Sequence, residues 1–116
     1  MINVIVSSRY KVNRKIIRNL AQEVLNKKGV DSDYIVNIVF VGKTKMALIT
    51  NKYKNEQQAL PVLSFPYHEI NSDGSKILGE IFICYPLTII MAAQRNKKVE
   101  DIINFLINHG MENLLK

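Results

Sequence analysis

Apolar and polar positions alternate from the start of the chain. Ile2, Val4 and Val6 are interleaved with Asn3, Ile5 and Ser7, which predicts a short strand buried on at least one face. Over residues 12–28 the period lengthens. Val12, Ile16, Leu20 and Val24, flanked by Ile17, Ala21 and Leu25, recur at helical spacing, and Gly29 supplies a stop. A turn over residues 31–33 leads into Tyr34–Val41, whose β-branched and aromatic residues predict a central strand. Residues 45–52 form a short helix pattern, and 53–58 are a polar stretch.

Residues 60–66 are strand-like but carry Pro61 and Pro66, which suits an edge strand rather than one paired on both sides. Asn71, Ser72, Asp73, Gly74 and Ser75 make a turn signal, and 77–84 are strand-like again, so residues 60–84 are expected to form a hairpin. Pro86 can open a helix that runs to Gln94, and residues 96–98 break it. Val99, Ile102, Ile103, Leu106, Gly110 and Leu114 define the apolar face of a last helix, with Glu100 and Asp101 near its positive end. The sum is an α+β domain over residues 1–116, a mixed sheet of about four strands covered by helices.

Length agrees with that reading, since a chain of this size buries about two thirds of its unfolded surface and needs no second domain. No apolar stretch reaches the roughly 20 residues of a membrane helix, so no membrane partner is expected. The lone cysteine, Cys84, excludes an internal disulfide and a four-cysteine zinc site and fits a cytoplasmic protein; at the end of an apolar run it is expected to be buried. The formal charge of +6 favours polyanionic partners, because Lys and Arg that neutralise phosphates release counterions. Arg14, Lys15, Arg18, Lys27 and Lys28 gather on one face of the first helix, either as a solvated face or as an RNA-contacting one.

Three blocks carry a resemblance. Val62-Leu63-Ser64-Phe65-Pro66, then Leu78-Gly79-Glu80-Ile81-Phe82-Ile83, then His109-Gly110 resemble, in order and spacing, the YbeY family of rRNA maturation endoribonucleases. The resemblance implies a small metal-dependent RNase acting on ribosomal RNA or the small ribosomal subunit, with zinc held by His-Gly-x-x-His-x-x-Gly-x-Asp-His. His109 falls on the first histidine and Asn113 on the second; the rest of the pattern lies past Lys116, so the chain is expected to lack the family's C-terminal residues. Histidines four apart on a helix can share a tetrahedral zinc, but an Asn offers only a neutral amide oxygen. No bound cofactor is therefore expected, with His109 the only metal ligand if there is any. The pair His109 and Asn113 is either a remnant of the metal pocket or a local pair filling former ligand space.

The family's phosphate-engaging arginine corresponds to Lys54, which keeps the charge and loses the two-pronged fork. Pro61 replaces a polar residue before the Ser-Phe-Pro strand, and Glu80 stands where the family commonly has Asp. The resemblance thus marks Lys54, His109 and Glu80 as candidate catalytic residues, and Lys54, Ser64 and Arg18 are candidates for RNA contact. It places Lys54, Ser64, Phe65 and His109 around one cleft. His68 is either a surface residue or a general base. The expected function is a YbeY-like RNA-binding, ribosome-associated factor with a degenerate metal site. The alternatives are an active endoribonuclease completed by ligands in trans and a non-catalytic module binding a protein partner at its C-terminal face.

Overall fold

A computed structural model of the chain describes residues 1–31, 33–54 and 59–116. Its elements run β1 (Ile2–Ile5), α1 (Arg14–Lys27), β2 (Tyr34–Val41), α2 (Lys43–Lys54), β3 (Val62–Ile70), β4 (Lys76–Cys84), α3 (Tyr85–Arg95) and α4 (Val99–Leu114). The strands form one sheet in the order β1-β2-β4-β3. β1 and β4 flank β2 in parallel, and β3 pairs with β4 antiparallel. This is the mixed, helix-covered α+β sheet that the alternation predicts.

The two sheet faces are covered unequally. Val36 and Ile38 of β2 and Ile81 and Ile83 of β4 point to the face under α1 and α4, where Ile17, Leu25, Ile102, Ile107, Met111 and Leu114 complete the main core. The other face lies under α2, and its smaller core gathers Val41, Met46, Leu63 and Cys84, with Val39, Phe65, Phe82 and Leu87 of α3 packed against it. Period-two alternation puts adjacent strand residues on opposite faces, so this division was written into each strand.

Several boundaries move. The first strand ends at Ile5; a turn follows in which the Tyr10 amide donates to the Ser7 carbonyl at 3.1 Å, and Arg14 spends its guanidinium on the carbonyls of Val4 and Val6 at 3.2 and 3.3 Å. Asn13 caps α1, its side chain accepting from the Ile16 amide at 3.1 Å. Ile16, assigned to the buried stripe, is 46% exposed, because Ile17, Ala21, Val24 and Leu25 already fill the contact with the sheet and α4. α2 is longer at both ends than residues 45–52, so Lys54 belongs to its last turn and not to a loop; the remainder of the polar stretch, 55–58, lies outside the described residues.

β3 also runs past Pro66, to Ile70. It is an edge strand, as the prolines predict, and a register shift between Pro66 and Glu69 absorbs the irregularity, with His68 at φ 53°. Pro61 has a structural use: its carbonyl accepts from the Cys84 amide at 3.0 Å. Cys84 is fully buried, and burial pushes its thiol above the ordinary range.

Candidate functional site

β3 leaves one edge of the sheet open, and at that edge the end of α2 and the last turns of α4 come together. Between them lies a cleft of about 330 Å³ lined by Lys54, Leu60, Val62, Leu63, Ser64, His109 and Asn113. Each polar member arrives by a different route. Lys54 ends α2, where a cation is favoured by the negative end of the helix. Ser64 stands on the α4 face of β3, and its hydroxyl donates to the Gly110 carbonyl at 2.9 Å, tying strand to helix. His109 and Asn113 are one turn apart on α4, His109 exposed and Asn113 half-buried.

The glycine beside His109 has a steric cause. A Cβ at Gly110 would lie 2.9 Å from Ile81 Cγ2 and 3.3 Å from Ser64 Oγ, so only glycine lets α4 settle this close to the sheet. Gly79 does the same on β4, where a Cβ would collide with the Phe65 carbonyl and Leu114. The resemblance motifs therefore contain the two glycines that set the distance between helix and sheet, and hence the width of the cleft.

His109 has a neighbour that the motif did not mark. The Phe105 ring lies nearly parallel to the imidazole, 17° between planes and 6.4 Å between centroids, and the Arg95 guanidinium stands 6.0 Å over Phe105. The i,i+4 spacing of Phe105 and His109 was the available signal.

Other candidates lie elsewhere. Glu80 pairs in register with Phe65, and both point to the α2 face, away from His109. Phe65 cannot share the Ser64 cleft, because neighbours on a strand face opposite ways. Glu80 instead accepts from Tyr67 Oη at 2.8 Å and Asn37 Nδ2 at 3.4 Å. Arg18 is exposed on α1, which packs against β1 at the far edge of the sheet. His68 lies within the β3 irregularity and does not line the cleft.

Among the described residues, the donors that meet at the cleft are one imidazole, one amide, one ammonium and a hydroxyl already engaged. A tetrahedral zinc site needs several imidazole, thiolate or carboxylate ligands, and this set does not fit it. Among the described residues no group of three or more His, Cys, Asp and Glu side chains could hold a metal. What the set does offer is a cation and neutral hydrogen-bonding groups around an open concavity, suited to a phosphate and its sugar. No helix among the described residues is long and apolar enough to cross a membrane.

Residues 4–115 match the family described as Endoribonuclease YbeY. A protein of that description from Thermodesulfovibrio yellowstonii is 33% identical over 81 residues, covering 70% of this chain and 51% of the relative. Another from Dehalococcoides mccartyi is 29% identical over 129 residues, covering 98% of this chain and 81% of its own length. The chain thus spans about half of the first relative and most of the second. A solution structure of a Thermotoga maritima protein covers 100% of this chain with a TM-score of 0.65 at 22% identity, covering 73% of that protein, which establishes a shared fold. Since the match takes in the edge strand, both spacing glycines and the helix that carries His109, the chain belongs to the YbeY endoribonuclease family.

Proposed function

We propose that this chain is an RNA-binding factor of rRNA maturation that works on ribosomal RNA or the small ribosomal subunit through the Lys54–Ser64–His109–Asn113 cleft. The observation that carries the reading is the convergence of Lys54, His109 and Asn113 from α2 and α4 on the open edge of β3. Lys54 serves as a point charge for a backbone phosphate. Ser64 positions α4 by its bond to Gly110, and His109 and Asn113 supply hydrogen bonds to ribose or phosphate. The formal charge of +6 adds a long-range pull on RNA.

The ligand set separates this reading from metal-dependent cleavage. His109 supplies one imidazole, and Asn113 one turn on is a poor zinc ligand, so these residues bind RNA without assembling an activated water. A second reading, an endoribonuclease completed by ligands from outside these residues, draws on the exposure of His109 at the open side of the cleft.

Incubating the protein with labelled single-stranded RNA, with and without added zinc, tests the choice. Binding without cutting is expected in both conditions, together with less than one zinc per chain in protein purified without chelators. Zinc-dependent cutting lost in His109→Ala, or one tightly held zinc per chain, overturns the proposal in favour of the enzyme.

A further inference from the structure

The sheet face under α2 holds a second concavity, separate from the His109 cleft. An open pocket of about 410 Å³ lies between α2 and the sheet, with Tyr53, Phe65, Tyr67 and Phe82 as aromatic walls and Glu80 as the acid within it. The volume lies within the roughly 300–1,000 Å³ typical of small-ligand sites. The rings are set against one another, Tyr53 to Phe65 at 4.9 Å and Phe65 to Phe82 at 5.7 Å, both edge-to-face. Leu48 and Tyr53, on the α2 side, are 67% and 59% exposed, so large apolar surface is left open to water at the mouth.

Glu80 is held in place without being used up. Tyr67 Oη donates to one carboxylate oxygen and Asn37 Nδ2 to the other. Asn37 is itself tied to Asn3, whose Nδ2 donates to Asn37 Oδ1 at 3.0 Å, so a polar row crosses the sheet and fixes the acid. An ionised carboxylate has about four acceptor positions, and these bonds fill two. Among the described residues Glu80 has no ion pair. Lys45 and Lys52 line the same cavity from α2, and the Lys52 ammonium stands 5.3 Å over the Tyr53 ring.

We propose that this cavity is a guanine-nucleotide site, with the base among the aromatic rings, its N1–H and N2–H on the Glu80 carboxylate, and its phosphate on Lys45 and Lys52. Guanine is the base that presents two adjacent donors on one edge, matching the two oxygens of a carboxylate. Adenine and cytosine each set an acceptor beside their amino group, which a carboxylate repels. A flat aromatic base gains from stacking, and nearby ammonium groups take the phosphate. The site stands independently of the proposed cleft.

Calorimetric titration of the full chain with GMP, AMP and guanosine at low ionic strength is the test. GMP is expected to bind at least about tenfold more tightly than AMP, the size of one bidentate base contact. Glu80→Gln, which keeps the side chain's shape, should abolish that preference. Lys45→Ala combined with Lys52→Ala should bring GMP down to the affinity of guanosine while keeping guanine over adenine, which guards against misreading a folding defect. A uridine oligonucleotide with a single guanosine identifies the source: tighter Glu80-dependent binding than GMP assigns the base to an RNA chain, and equal binding assigns it to a free nucleotide, either of which supports the site. Equal affinity for GMP and AMP, no binding of any guanine probe, or a guanine preference that survives Glu80→Gln overturns it.

Discussion

At Gly110 a missing side chain does more for the cleft than any polar group present. Adding a methyl there would push into Ile81, a fully buried residue of the central sheet. Gly110→Ala is therefore expected to destabilise the fold by about 1–3 kcal/mol, the usual size of an overpacking penalty, in a denaturant titration. Stability unchanged from the parent would show that α4 can give way at no cost. Tyr67 offers a second prediction at this scale. Desolvation, then its hydrogen bond to Glu80, raises its phenol from 10.0 to about 12. A raised folded value means the native state holds its proton where the unfolded chain has released it. That stabilisation is whole below pH 10 and is lost as pH rises through about 12. Unfolding free energy should fall across that window in the parent and fall less in Tyr67→Phe; identical profiles would remove Tyr67 as the cause. The sequence showed His-Gly and Leu-Gly as patterns but gave no reason for the glycines, because the atoms they avoid belong to other elements.

Elements with a strong local signal were legible, and those governed by pairing partners were not. α1, α3 and α4 followed from helical spacing, Pro86 and the acidic first turn of α4. Asn13→Ala should cost about 0.5–2 kcal/mol by removing the cap on the Ile16 amide, measurable in the same denaturation assay, whereas no loss would make the cap redundant. By contrast, the exposed Lys28–Glu112 pair at 3.2 Å adds little. α2 has a weak apolar stripe, so its extension to Lys54 could not be seen, although it moves the key cation from a loop to a helix end. Beyond Pro66, β3 continues because β4 supplies partners for Glu69 and Ile70 on the far side of the irregularity. Ser64 and Phe65 are consecutive in a strand, so the sequence already forbade them a common cleft; Glu80 follows Phe65 by register, which only the fold discloses.

Over the whole molecule, positive charge is spread rather than gathered. Lys54 stands at the β3 edge, Arg18 on α1 toward the β1 edge, and Arg14 is engaged in holding the end of β1. An RNA using both Lys54 and Arg18 must therefore run across the molecule. Lys54→Ala should weaken binding more than Arg18→Ala, because Lys54 alone lies in the cleft with His109. The central claim, that this cleft holds an RNA phosphate, is tested most directly by measuring the affinity for an unstructured RNA across a salt series in the parent and in Lys54→Ala. Each phosphate contact contributes about 0.7 to the slope of log affinity against log salt for a single strand. The Lys54→Ala line is expected to lie lower at low salt and to be shallower by about that amount. Parallel lines of equal affinity would contradict the cleft and point to a protein-binding role for this face.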